Sequence, residues 1–251
     1  MNTEGILLSG KSSFNPFFLS PLYEVFKMKQ PFFAYPLYEQ YLTWQIEKSP
    51  SRLPGHVAVI LKETDLLDSE GLEKLRFSLL FFWKFKIKIM SIYVDILNTD
   101  SELKAELASE LKTRLEKIFS CLPKVMGYEI CGLGGEVETR QEGKDFFVYV
   151  SLGFGGRREI TQAVLSILGD VRERKVIPEE VDEKLLESHL LVKHEPDLII
   201  RSGGQKLADF LVWQAVYSEL YFTDVNWKDV RKLDLLRVIR DFQKRQRRYG
   251  R

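Results

Sequence analysis

Two hydrophobic periods take turns along this chain from residue 56 onward. Val57–Leu61 is a short, unbroken, β-branched run, which fits a strand buried on both faces. Residues 69–83 place Leu72, Leu75, Leu79 and Phe82 on one side of a helix entered at Ser69. Lys86–Ile96 returns to strand spacing, with Ile87, Ile89, Ser91 and Tyr93 alternating against Lys88, Met90, Ile92 and Val94. Leucines 103, 107, 111 and 115 recur at every fourth position and predict a helix over 101–119. A strand is expected to end near Cys131, and a hairpin through Glu138–Lys144 to lead into a strand Phe146–Leu152. A helix over 157–174 should bury Ile160, Val164, Ile167 and Val171. One over 179–191 opens at Pro178 with a run of acids, where the helix dipole favours negative charge. Leu198–Ile200 reads as the last strand, followed by Gly203 and Gly204, a helix over 207–217 and a closing helix over 231–247.

Strands alternating with helices of this length predict an α/β domain with a mainly parallel central sheet flanked by helices. The expected organisation is a helical N-terminal extension, 1–55, and a single domain, 56–251. The extension opens with an aromatic-rich stretch, 14–36, which prolines 16, 21, 31 and 36 keep from forming a long helix. Tyr38, Tyr41, Leu42 and Trp44 then outline a short amphipathic helix over 37–46. It either packs on its own domain or lies against a membrane surface or a partner.

Composition narrows the class. At 45% hydrophobic and 29% charged residues, the chain has the balance of a globular protein and not of a disordered or collagen-like one. Basic residues number 37 against 36 acidic, a net charge of +1, so no global field recruits nucleic acid and any anion site must be local. Two cysteines, Cys121 and Cys131, cannot build a disulfide framework, which fits a reducing compartment. No apolar run approaches the ~20 residues of a membrane span, and the first ten residues lack a secretory pattern. The expectation is a cytoplasmic protein with room for peripheral contact at a membrane.

In open α/β sheets, ligands bind beyond the carboxyl ends of the strands. Three polar segments fall there: Leu61–Asp68, Phe154–Glu159 and Arg201–Lys206. In the third, Gly203 and Gly204 let backbone amides approach a ligand, while Arg201 and Lys206 bracket the turn with positive charge. This is the chemistry of a phosphate or diphosphate seat, and equally that of a glycine turn between two solvated cations. Gly155-Gly156-Arg157 reads more simply as a tight turn with a surface arginine, and Leu133-Gly134-Gly135 as a turn. Histidines 56, 189 and 194 share no metal-ligand spacing, and no Gly-x-Ser-x-Gly elbow is present. The basic tail 237–251 is either a solvated helix face or a contact for an anionic ligand or lipid head group.

Longer motifs carry a family resemblance. Pro196-Asp197-Leu198-Ile199-Ile200-Arg201-Ser202-Gly203-Gly204, followed by Phe210–Phe222, resembles the C-terminal signature of the cis-prenyltransferases. These undecaprenyl diphosphate synthase-like enzymes extend an allylic diphosphate with isopentenyl diphosphate. Phe154–Ile160 resembles a second motif, His56–Leu61 the start of the first, and Arg248-Tyr249-Gly250 the closing Arg-x-Gly. The resemblance implies that Arg201, Ser202, Gly203, Gly204, Lys206, Gly156 and Arg157 bind substrate, that Arg248 and Gly250 reach a partner's active site, and that Glu219 serves a magnesium ion.

Departures qualify it. In the family the first strand runs into an aspartate that handles magnesium and the allylic diphosphate, then a glycine-rich loop. Here Lys62 holds the aspartate position, and about a dozen loop residues are missing before Ser69. An ammonium cannot ligate a metal. The Phe-Ser-x-Glu-Asn-Trp segment is replaced by Asp95-Ile96-Leu97-Asn98, the Arg201 loop is one residue short, and Lys206 stands where a second arginine would. The chain therefore resembles the non-catalytic partner subunit of heteromeric members, whose catalytic subunit supplies Mg2+ binding. Two alternatives remain: a self-sufficient homodimeric enzyme whose allylic site is rebuilt from Glu63, Asp65 or Asp68, and an isoprenoid-diphosphate-binding scaffold.

Overall fold

The structure, a computed structural model, describes residues 34–97, 100–203 and 209–245. The chain divides into two units between Tyr41 and Leu42, inside the helix Ala34–Glu47 (α1). The fold described below is that of the second unit. The aromatic lead-in before residue 34, Gly204, Lys206, Arg248 and Gly250 all lie outside the described residues.

Seven described strands form one sheet. They are β1 (His56–Lys62), β2 (Ile89–Asp95), β3 (Met126–Cys131), β4 (Val137–Gln141), β5 (Phe146–Leu152), β6 (Leu198–Ser202) and β7 (Glu219–Thr223). Their order is β4-β3-β5-β2-β1-β6-β7, and every pairing is parallel except β3 with β4. Between them run α2 (Glu63–Leu67), α3 (Ser69–Lys84), α4 (Ser101–Ser120), α5 (Gly156–Arg172), α6 (Glu183–Ser188) and finally α7 (Lys232–Lys244). The protein is thus an α/β domain with a mostly parallel sheet flanked by helices. Aspartates start three of the helices: Asp68 accepts from the Glu70 amide, Asp100 from those of Glu102 and Leu103, and Asp182 from that of Leu185. Each satisfies amides that a helix start would otherwise leave unpaired.

Residues paired across parallel strands share a face, so the register fixes which side chains meet. Ser151, Tyr93, Ile60 and Arg201 form one row across β5, β2, β1 and β6, with the pair Lys62 and Asp95 one step beyond it. Ile60 and Tyr93 of that row pack with Ala58, Ile199, Val192, Phe210 and Leu211 into a buried cluster. The opposite face of β6 and β7 lies against α7.

Several local expectations are corrected. Strand β2 starts at Ile89, and its central residues are buried on both faces, so the apparent alternation carries no exposed side. Leu103 is exposed while Leu111 and Leu115 are buried. A spacing of four drifts about 40° per step on a 3.6-residue helix, which carries the first leucine off the buried side. On α5 the buried positions are Gly156, Glu159, Ala163 and Ile167, and Val164 faces solvent. The hairpin joins β3 to β4 through the Leu133-Gly134-Gly135 turn, not through residues 138–144. Residues 178–180 form a separate 3-10 turn, and α6 starts only after Asp182. Residues 209–217 are turns where a helix was expected, with Leu211 at φ 48°, a left-handed conformation that a right-handed helix cannot contain. The edge strand β7 was not foreseen.

Candidate functional site

At the carboxyl edge of the sheet, β1 ends on Lys62 and passes directly into α2. The Lys62 amide donates to Asp65 Oδ2 at 2.9 Å. Asp65 and Asp68 are therefore both engaged as caps, and Glu63 is buried at 5% exposure. No glycine-rich loop stands open here.

Arg201 occupies the same edge from β6. Its side chain is 11% exposed and reaches across β1 towards β2, placing Nη2 4.0 Å from Asp95 Oδ2. That distance marks a loose ion pair and not a hydrogen bond. Its Nε is buried with no partner among the described atoms. A buried, unpaired guanidinium donor beside a sheet edge offers a place to an anion. Tyr93 lies in the same row, on the far side of Ile60, and stacks on Phe210, with ring centroids 4.8 Å apart and planes 9° apart. Burial raises the Tyr93 pKa, and the nearby carboxylates of Asp95 and Asp209 add to this, so its hydroxyl stays neutral.

The other sequence candidates are placed differently. The Ser202 side chain points to the opposite face, where Oγ donates to Val225 O at 2.7 Å. Gly203 turns the chain at φ 65°, which a side chain would resist, and its amide donates to Thr223 O. The Gly156 amide donates to Asp209 O at 2.8 Å and that of Arg157 to Asp209 Oδ1 at 3.1 Å, so the start of α5 is capped from within the chain. A Cβ on Gly155 would come within 2.6 Å of Asp209 O, which explains the glycine by close packing. Glu219 begins β7 at the amino end of the sheet and accepts from Arg245 Nη1 at 2.9 Å. The structure thus brings Arg201 to Asp95, with Lys62 beside Asp95 in the register, places Gly156 and Arg157 against Asp209, and puts Glu219 at the opposite end of the sheet.

Two roles escaped the sequence reading. Glu159, buried at 6% exposure, accepts from the amides of Leu191 and Val192 and from Gln214 Nε2, tying α5 to the segment that carries Phe210. Asp209 caps α5. Both are acids in polar stretches, and only the path of the chain shows what they face.

The undecaprenyl diphosphate synthase model of the prenyltransferases matches residues 89–250. The chain belongs to this family. A Tritrans,polycis-undecaprenyl-diphosphate synthase (geranylgeranyl-diphosphate specific) of Methanopyrus kandleri is 49% identical over 114 residues, 44% of this chain and 42% of that relative. The synthase of the same name from Picrophilus torridus is 36% identical over 165 residues, covering 64% of this chain and 62% of the relative. The chain thus matches less than two thirds of these relatives' length. Among solved structures, lavandulyl diphosphate synthase from Lavandula x intermedia, in complex with dimethylallyl diphosphate, aligns with a TM-score of 0.69. It is 21% identical and covers 80% of this chain and 100% of that one, a likeness of fold.

For this prenyltransferase-family chain, the magnesium that the resemblance implies does not fit the described residues. No group of three His, Cys, Asp or Glu side chains converges among them. Asp95 lies 4.0 Å from Arg201 and beside Lys62 in the register, and Glu219 is paired with Arg245. No described helix is long and apolar enough to cross a membrane.

Proposed function

We propose that this chain is the partner subunit of a cis-polyprenyl diphosphate synthase, with little or no turnover of its own. The observation that carries the reading is the exit of β1. Lys62 stands in the family's aspartate position, and α2 closes the edge at once with Asp65 engaged as its cap. In this reading Mg2+ and the allylic diphosphate belong to a catalytic cis-prenyltransferase chain. Arg201, with the turn Ser202–Gly204 and Lys206, holds a diphosphate such as that of isopentenyl diphosphate, with Gly156 and Arg157 joined to Asp209.

The contact with the partner runs along the turns 209–217 and the edge strand β7. Val212 and Val216 are 47% and 72% exposed there, and Phe222 is 39% exposed. Apolar side chains left in water beside a sheet edge favour association. Arg248 and Gly250 act in trans on the partner's substrate, where a guanidinium and a close backbone amide stabilise the diphosphate. The complex works at the cytoplasmic membrane surface, since its long apolar product leaves towards lipid.

The test is incorporation of labelled isopentenyl diphosphate by this chain, by a family member from the same source with an intact aspartate loop, and by their mixture. Turnover confined to the mixture supports the partner role. Steady turnover by the isolated chain overturns it in favour of a self-sufficient homodimer, the reading favoured by the unpaired Nε of Arg201.

A further inference from the structure

A cavity of about 180 Å3 lies on the face of β6 and β7 opposite Arg201. Ile200 and Tyr221 form its floor, Leu235 and Val238 of α7 its roof, and Trp227 closes one end. The indole is fixed, because its Nε1 donates to Gly71 O at 2.9 Å and the residue is 2% exposed. The wall is therefore set before any guest arrives.

Ser202, Thr223 and Asp234 of its lining are already engaged by hydrogen bonds. Ser202 Oγ donates to Val225 O at 2.7 Å, and Thr223 Oγ1 accepts from the Val225 amide at 3.2 Å. At the rim, Asp234 accepts from the amide and Nε of Arg231 at 3.0 and 3.1 Å, with Arg237 Nη1 3.8 Å away. A buried water needs two to four polar partners, and this lining has few left to give. Apolar cavities of roughly 150 Å3 stay dry and take up benzene.

We propose that this cavity is a binding site for one small hydrocarbon group of about five or six carbons, branched or aromatic, with any hydroxyl left at the Asp234–Arg237 rim. Residues 200 and 202 flank Arg201 in the strand but point the other way, so the site is separate from the anion edge. It stands on its own chemistry and does not depend on the partner-subunit reading. A guest there would press on α7, the helix that leads to Arg248.

The test is a methyl NMR titration of the full chain with benzene and, separately, with 3-methylbut-3-en-1-ol. Saturable shifts should appear at Ile200, Leu235 and Val238, and Val238→Phe, which fills the space, should weaken binding by about tenfold or more. Should that variant fail to fold, Val225→Ile, also in the lining, adds a single methylene and should reduce the affinity in the same direction. Shifts that never saturate, or equal affinity in a folded filled variant, overturn the proposal.

Discussion

Replacing Arg201 by alanine tests the anion edge most directly, and the structure sets the size of the effect. Among the described residues the guanidinium has an ion-pair contact at 4.0 Å to a carboxylate that is 45% exposed, and its buried Nε has no partner. A pair this loose, with its carboxylate half in water, stabilises the fold by about 0–1 kcal/mol. A diphosphate oxygen arriving at Nε or Nη would gain a hydrogen bond to a charged donor without breaking a strong one. Such a bond contributes about 1.5–3 kcal/mol. Arg201→Ala should therefore weaken isopentenyl diphosphate roughly 10- to 150-fold. Arg201→Lys should fall between, because lysine keeps the charge but loses the planar fork. Isothermal titration of the three proteins reads the affinities, and thermal melts alongside check that the loss of the packed arginine stem has not unfolded the variant. Unchanged affinity in a folded Arg201→Ala protein would mean that the edge holds no diphosphate, whatever the charge of the turn.

Four further outcomes follow from particular contacts. Lys62→Asp should not restore magnesium-dependent turnover to the isolated chain, since Asp65 still caps α2 and the loop is still missing; measurable activity in that variant would show that residue 62 alone decides. His56 is 3% exposed, with Nε2 2.8 Å from Ser91 Oγ, and burial lowers its pKa from 6.5 to about 4. The unfolded chain takes up that proton near pH 6.5 and the folded one near 4, so stability should fall as pH drops through this window, by ~3 kcal/mol at its foot. Burial raises the pKa of Glu159, which acts oppositely and removes stability as pH rises above 4.5. Urea unfolding of His56→Gln against the parent at several pH values isolates the histidine, and identical slopes would refute its part. Val216→Asp should leave the melt unchanged, because the side chain is 72% exposed, and should weaken association in sedimentation experiments at least tenfold; unaltered association would move the interface elsewhere. Deleting Arg248–Arg251 should preserve assembly and remove most turnover of the complex, whereas full activity would leave the tail without a role in trans.

The parallel sheet was legible because β1, β2 and β6 lie at its centre, and burial on both faces writes them as unbroken apolar runs. The edge strand β7 was not. Its residues Glu219–Thr223 are half-buried or exposed, and their sequence Glu-Leu-Tyr-Phe-Thr reads equally well as the end of a helix. The segment before it looked helical from spacing, since a left-handed backbone at Leu211 leaves no mark in hydrophobicity. On α5 the pattern failed for a chemical reason: Glu159 faces inward to meet two backbone amides, and a hydrophobic count assigns any glutamate to the outside. At the candidate edge, Arg201 stands out in the sequence because a cation beside paired glycines at a strand end is a chemical signal. Asp95, its partner across β1, does not, because nothing in sequence links residues with three strands of chain between them.

The replacement at position 62 changes the edge in kind. An aspartate there, beside Asp95 in the register, would set two carboxylates next to each other, an arrangement that calls for a divalent cation to relieve repulsion. With lysine the register sets a cation and not a second carboxylate beside Asp95, and Arg201 lies 4.0 Å from the same carboxylate. Such an edge attracts an anion without magnesium but cannot polarise a departing diphosphate as a metal does, because an ammonium and a guanidinium spread less charge onto each oxygen than a bound divalent ion. Binding survives that exchange more readily than turnover does. The physical consequence is measurable without any partner: diphosphate affinity of this chain should be insensitive to removal of magnesium by chelation. A steep loss of affinity on chelation would require carboxylates that the described edge does not bring together.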